Sequence, residues 1–272
     1  MLPPLQMLPR LHRTATIVAV LWAHLLPAAD INMPDGVAIV TSQHGSIQIT
    51  DTEGKKSRPK LHEPRTLSSQ TIDTKKDSYI FFALSNGLGI GIGENSQVSF
   101  TTYGQEPFSA QQEGLDYEPS VSALTLEIER GTLAIMSEGL SPLSQARVLT
   151  PTGTLRIHSN NYLVQQNEIG TTITTYKGSA TFYYPDGKSR EYLSGPTSVR
   201  ISPQSSTLGK IAQHIDIASL PESSKRFVDA TVHASQRVFF KASKAGGSAT
   251  PVLIVPADYF DQAPTRPYEY RE

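Results

Sequence analysis

Residues 79–100, YIFFALSNGLGIGIGENSQVSF, hold two apolar stretches on either side of Asn86-Gly87. Asn-Gly readily takes the positive φ angles of a two-residue hairpin, so the segment predicts two adjacent antiparallel strands. The glycines at 87, 89, 91 and 93 alternate with Leu88, Ile90 and Ile92. Successive strand residues face opposite ways, so the aliphatics fill one face and the glycines leave the other bare. A nucleotide-binding glycine loop needs a different spacing and a following helix. The bare face is expected to take another sheet or chain instead.

The same style of sequence continues outward. Residues 36–54 read as two short alternating strands, with Val37 and Ile39, then Ile47 and Ile49, at same-face positions and a glycine turn between them: a hairpin. Residues 55–76 are polar and basic, with Pro59 and Pro64, and are expected to form a loop or weak edge. Residues 105–119 read as an irregular connection whose Glu113, Asp116 and Glu118 fit no calcium-loop spacing and are expected to be solvated. In residues 123–135, Leu124, Leu126 and Ile128 alternate with Thr125, Glu127 and Glu129 before a turn at Arg130-Gly131. Paired carboxylates perform acid/base chemistry in glycosidases, but Glu127 and Glu129, neighbours on one wet strand face, read as solvated charge. Residues 171–193 repeat the strand-turn-strand scheme at Lys177-Gly178 and Pro185-Asp186-Gly187.

The period changes in residues 221–243, where Val228, Val232, Phe239 and Ala242 fall on one helical stripe and Gly246-Gly247 follows as a stop. This predicts an amphipathic helix. Lys225, Arg226, Arg237, Lys241 and Lys244 make it locally basic, and the expected arrangement is a solvated basic side with the apolar side packed on the domain, rather than on a membrane. Residues 250–256 hold a last strand, VLIV, before a Pro- and Tyr-rich tail.

With 24 Lys+Arg against 25 Asp+Glu, the chain lacks the basic excess that phosphate neutralisation requires, so nucleic acid is not an expected partner. Frequent Gly and Pro between short apolar runs point to an all-β class. The absence of cysteine excludes disulfides, thiolate metal sites, cysteine nucleophiles and an acylated cysteine anchor. At the N-terminus, Arg10 and Arg13 precede the apolar run TATIVAVLWA at 14–23, and Ala28 and Ala29 follow before Asp30. That order reads as a secretory signal peptide, and the run is shorter than the ~20 residues of a stable membrane-crossing helix. Leu26 or Pro27 occupies a place where cleavage prefers a small residue, so an uncleaved anchor is the alternative. Either way the remainder is expected to be exported, to the periplasm or cell surface.

In order, these segments resemble the FecR-like domain of Gram-negative envelope proteins, across roughly residues 36–203. The resemblance rests on the opening strands, LSNGLGIGIGENSQVSF, LTLEIERGTLAI and, most specifically, TPTGTLRIHSNNYLV at 150–164, followed by TTITTYKGSATFYYPDG. Thr150, Pro151, Gly153, Ile157, Tyr162, Val164 and Gly178 match the family pattern, whereas His158, Ser159 and Asn160 replace its Arg-Gly-Thr. His158 lacks companions at metal-ligand spacing and reads as a turn residue. Asn is able to supply a left-handed conformation in that turn. The resemblance implies stacked antiparallel hairpins forming a two-layer sandwich or β-helix-like domain at 30–203, after a signal peptide at 1–29 and before a C-terminal helical appendage and tail at 204–272. Family members relay signals from an outer-membrane transporter to a sigma factor. Too few residues precede the apolar segment for a sigma-binding module, so only the exported half is expected.

No nucleophile, base and acid converge in the sequence. The expectation is a non-catalytic envelope interaction, scaffold or sensory protein, with an envelope protein or surface polysaccharide as partner. No catalytic, cofactor-binding or metal-binding residue and no cofactor is assigned. The alternatives are a secreted carbohydrate-binding or carbohydrate-active β-protein, which aromatic platforms on one face would distinguish, and a membrane-anchored signalling regulator.

Overall fold

The computed structural model describes residues 33–112, 117–203, 212–236, 238–242 and 250–254. Strands β1 (Ala38–His44) and β2 (Ile47–Thr50) are followed by the two-residue strands β3 (Lys56–Ser57) and β4 (Pro64–Arg65). Next come β5 (Gln70–Thr74), β6 (Tyr79–Leu84), β7 (Gly89–Ile92), β8 (Gln97–Gln105) and the long β9 (Ser122–Met136). Then follow β10 (Gln145–Thr150), β11 (Gly153–Ser159), β12 (Asn161–Asn167), β13 (Gly170–Thr175) and β14 (Ser179–Tyr183). β15 (Arg190–Ser194), β16 (Thr197–Ile201) and β17 (Gln213–Ile215) complete a 17-stranded hydrogen-bonded system. Helix α1 (Glu222–Gln236) and the strand pair β18 (Val238–Lys241) and β19 (Thr250–Ile254) close the chain. The mainly-β expectation with one substantial C-terminal helix is met.

The 17 strands divide into two layers. The front sheet runs β3-β2-β5-β8-β9-β10-β11-β14-β15, antiparallel except for the parallel β9–β10 pair. The back sheet runs β1-β6-β7-β9-β12-β13-β16-β17, with β4 beside β1. Aliphatic and aromatic side chains from both layers form one core, with Phe82 of the back sheet edge-on to Phe100 of the front at 6.0 Å.

The layers are joined by strands that bend from one into the other. β1 continues as β2 through Gly45, β5 as β6 through Asp77, and β7 as β8 through Asn95. β9 crosses at Gly131 without interruption, β11 becomes β12 at Asn160, and β13 becomes β14 at Gly178. Each of these residues has positive φ, between 52° at Asn95 and 96° at Gly131. Bending frees backbone groups, and buried hydroxyls recapture them. The Thr74 hydroxyl donates to Gly93 O at 2.5 Å and accepts from Ser96 N at 2.9 Å. The Ser96 hydroxyl accepts from Thr132 N at 2.9 Å, and the Ser78 hydroxyl accepts from Ser46 N at 2.9 Å. Part of the chain's Ser and Thr content is thus spent lining the bends.

These corners correct several expectations. β1 and β2 do not pair with each other: β1 bonds β6 and β2 bonds β5, because Gly45 directs the chain across the sandwich. Arg130-Gly131 and Lys177-Gly178 are likewise crossings rather than hairpin turns. Residues 55–76 contain the true strand β5, whose Ile72 is fully buried amid polar neighbours. The Asn86-Gly87 hairpin does form, but only Gly87 has positive φ (88°). Gly87 N donates to Leu84 O and Leu84 N to Leu88 O, which makes a three-residue loop. The Pro185-Asp186-Gly187 hairpin stands, with the Asp186 carboxylate accepting from Lys188 N and Ser189 N.

The bare glycine face is covered by helix α1. A Cβ on Gly89 would lie 2.7 Å from both Ser235 Cβ and Thr231 O, and one on Gly91 would lie 2.4 Å from Thr231 Oγ1. Val228 packs with Ala134 and Leu163 on the outer side of the back sheet, and the Phe227 ring lies 5.2 Å from that of Phe81. The packed stripe is Val228, Thr231, Ala234 and Ser235, not the predicted Val228, Val232, Phe239 and Ala242. The helix ends at Gln236, so Phe239 belongs to β18 and Ala242 follows it. Lys225 and Arg226 are exposed, and Lys225 reaches Asp229 at 3.9 Å. The segment expected to be a signal peptide, Arg237, Lys244, Gly246-Gly247 and the C-terminal tail lie outside the described residues. Among the described residues, no helix is long and apolar enough to cross a membrane.

Candidate functional site

The two outer surfaces of the sandwich differ. The back sheet carries α1 together with β18, whose Val238 and Phe240 pack on Ile39 and Ala83. The front sheet's outward side chains are mainly polar, and strand register arranges them in rows. One row runs Thr125, Arg147, Arg156, Thr181, Tyr192 across β9, β10, β11, β14 and β15. The next runs Glu127, Leu149, Thr154, Tyr183, Arg190 across the same strands.

Arg147 and Arg156 are directly opposed, so their Cα atoms stand roughly 4.5–5.5 Å apart. Both are exposed. Like charges opposed across a ladder are destabilising by a few tenths to about 1 kcal/mol unless something screens them. Arg147 donates to the Gln145 side chain, and among the described residues neither arginine has a carboxylate within 4.0 Å. They line a shallow groove of about 390 Å³ with Gln145, Thr154 and Tyr183. Beside it, Tyr192 is 67% exposed with the Arg190 guanidinium 5.2 Å from its ring centre. Thr181, 3% exposed although it points outward, stands between Arg156 and Tyr192 in the row, and its hydroxyl lies 2.9 Å from His158 Nε2.

His158 therefore lies on β11 rather than in a turn, since Asn160 bears the positive φ of 81°. Partial burial, and then the Arg156 charge, hold its imidazole below its ordinary value, so it is neutral at pH 7. Glu127 and Glu129 are exposed on the same face, as their alternation predicts, and border the arginine patch on the β9 side. A second basic groove, about 280 Å³, lies at the other edge between Lys56, Arg58 and Lys75, and it contains the carboxylate of Asp73, which Arg130 engages at 3.1 Å.

Of the predicted solvated acids at 105–119, Glu113 and Asp116 lie outside the described residues, and Glu118 is buried at 6% exposure. One carboxylate oxygen accepts from the Ser122 hydroxyl, the other from Ser141 N at 2.9 Å. Ser122 in turn accepts from Asn86 Nδ2 at 2.9 Å, and Ser122 N donates to the Ser144 hydroxyl at 2.8 Å. Asn86 N donates to the Tyr103 hydroxyl at 3.1 Å, which donates to Ser85 at 2.9 Å. Ser85 completes the chain by donating to Gln105 Oε1 at 2.6 Å while accepting from Val37 N at 3.0 Å. Burial raises the Glu118 carboxyl above its ordinary value, against the hydrogen bonds from Ser122, Ser144 and Ser141 that oppose the rise. The network pins three loops and the segment before β1 at one end of the sandwich, and its polar groups are spent on one another; it is structural.

Among the described residues, no group of three or more His, Cys, Asp or Glu side chains is placed to hold a metal ion. Two of the residues that carry the sequence resemblance, Tyr162 and Gly153, serve the fold. Tyr162 is fully buried with its hydroxyl held between the carbonyls of Ser159 and Ser179, so it ties both strands of the Asn160/Gly178 corner. Gly153 leaves no room for a Cβ, which would meet Tyr183 O at 2.3 Å. Sequence reasoning missed the Arg147–Arg156 pair, because nine residues separate the two and only strand register opposes them.

No protein-family model and no curated protein matches the chain. Two solved structures are similar to part of the chain, both named as a "putative anti-sigma factor" from Parabacteroides distasonis. One is 13% identical with a TM-score of 0.38, over 60% of this chain and 74% of that one. The other is 12% identical, also with a TM-score of 0.38, over 54% of this chain and 59% of that one.

Proposed function

We propose that this chain is an exported, non-catalytic interaction or scaffold module of the cell envelope, FecR-like in its sequence pattern, with sensory relay as the family counterpart of that role. The observation that carries the reading is the asymmetry of the sandwich. The chain's own helix occupies one outer face, while the other presents two opposed arginines with no carboxylate partner among the described residues. Charge held in such an arrangement is stabilised by an external anion. Export is proposed from Arg10, Arg13 and the apolar run at 14–23.

The reading is tested by affinity capture from a Gram-negative envelope extract, in parallel with glycosidase, lyase, peptidase and esterase substrate panels. A defined envelope partner and no turnover are expected. Turnover abolished by Glu127→Gln or Glu129→Gln would replace the scaffold reading with a carbohydrate-active one.

A carbohydrate-binding role is the second reading. It is favoured by Tyr183, which lines the groove with the arginines, and by the exposed Tyr192 on the same front face.

A further inference from the structure

We infer that the row Arg147–Arg156–Thr181–Tyr192, with Tyr183 beside it, is a binding site for an anionic polysaccharide, of the kind that carries carboxylates on its sugar rings. This rests on the interaction-module reading above and names the ligand class. The site is made by register alone: β10, β11, β14 and β15 bring side chains from positions 147 to 192 into line across the sheet.

Strands lie roughly 4.8 Å apart, so the row extends about 14 Å from Arg147 to Tyr192. That is a track, not a pocket. The groove along it is shallow and opens onto the sheet surface, which suits a polymer laid across the strands better than a small molecule enclosed on all sides. Guanidinium groups are matched to carboxylates by their planar pair of N–H donors, and two of them stand at adjacent strands with their own charges unrelieved.

The tyrosines decide between a sugar polymer and an acidic peptide. Tyr192 offers a rigid ring at 67% exposure with Arg190 against it, and Thr154 and Gln145 offer hydroxyl and amide groups further along the track, in the groove beside the arginines. An aromatic ring takes the C–H face of a pyranose, while flanking polar groups bond its hydroxyls. An acidic peptide would use the arginines but leave the ring unused. Glu127 and Glu129 on the β9 side repel a polyanion and set its boundary, so the chain is directed over β10 to β15. His158, neutral and engaged with Thr181, adds no cation at pH 7.

The test is titration of the purified full chain with polygalacturonate, its fully methyl-esterified form, dextran and poly-L-glutamate. Polygalacturonate should bind, the ester and dextran should not, and poly-L-glutamate should bind at least about tenfold more weakly. Arg147→Gln/Arg156→Gln should lose about tenfold or more, and Tyr192→Ala should weaken polygalacturonate but not poly-L-glutamate. Arg58→Gln, which removes a charge from the other groove, should leave binding within about twofold. Equal binding of the ester removes the charge element, and equal binding of poly-L-glutamate moves the assignment to an acidic protein. No binding of polygalacturonate, or binding that survives the double variant, overturns the site. If the sugar polymer fails while envelope capture still recovers a partner, the interaction-module reading stands and only the ligand class falls. If capture fails as well, both fall.

Discussion

The carbonyl oxygen of Thr231 in α1 lies 2.7 Å from the position a Cβ on Gly89 would take. The glycine is therefore a seat for helix backbone, and a backbone carbonyl cannot swing aside as a flexible side chain does.

Gly89→Ala should cost about 1–3 kcal/mol in urea unfolding and expose α1 to faster proteolysis. Gly93→Ala, whose nearest atom is Thr132 Cβ at 3.1 Å, should cost much less. Equal stability of Gly89→Ala and the parent would refute the seating of the helix.

Gly131 and Asn160 occupy equivalent corners with unequal space. At Gly131, φ is +96° and a Cβ would meet Ser96 Oγ at 2.1 Å and Ser96 Cα at 2.4 Å. Gly131→Ala should cost about 3 kcal/mol or more, combining backbone strain with overlap. Asn160→Gly retains the left-handed geometry and should change stability by less than about 1 kcal/mol, by thermal or urea denaturation.

The Tyr103 hydroxyl accepts the buried Asn86 N–H and donates to Ser85. Tyr103→Phe keeps the ring but leaves that N–H without an acceptor, a change expected to cost about 1–3 kcal/mol. Hydrogen exchange should quicken first at Asn86.

Glu118 should give the fold an acid-side stability optimum. Its folded carboxyl is raised above the ordinary value, so the folded state holds a proton that the unfolded chain has already released. The stabilisation is complete below the unfolded value of 4.5 and is lost as pH rises through the folded one. Glu118→Gln should flatten this slope in a series of melts carried upward in pH from the unfolded value. An unchanged slope would assign it to other groups.

N-terminal sequencing of secreted protein should find a mature chain beginning near Asp30. Intact protein starting at Met1 in the cytosol would overturn the export reading.

Strand content was legible because alternation survives wherever one face is buried, as in Leu124, Leu126 and Ile128 against Glu127 and Glu129. Connectivity was not. Glycine and asparagine supply positive φ equally well to a hairpin and to a strand that changes layer, so Gly45, Gly131 and Gly178 read as turns when they are crossings. β5 was hidden because the side chains it turns inward are Gln70, Ile72 and Thr74, of which only Ile72 is apolar. Glu118 misled for a related reason: besides Ser122, its partners Ser141 and Ser144 come from the β9–β10 loop more than twenty residues on, which proximity in sequence does not link. The glycine face was recognisable as needing a cover, but nothing local to residues 79–100 identifies α1 as that cover.

The crossing strands also determine how the molecule bears load. A sandwich of two separate sheets can slide or peel at its apolar interface, but here the same backbone threads both layers. β11, which holds Arg156, passes through Asn160 into β12, where Leu163 touches Val228 of the helix. Tension applied by a polymer gripping the front face would thus be carried by covalent bonds to the strands beneath the helix, with the corner residues as the points where the chain must flex.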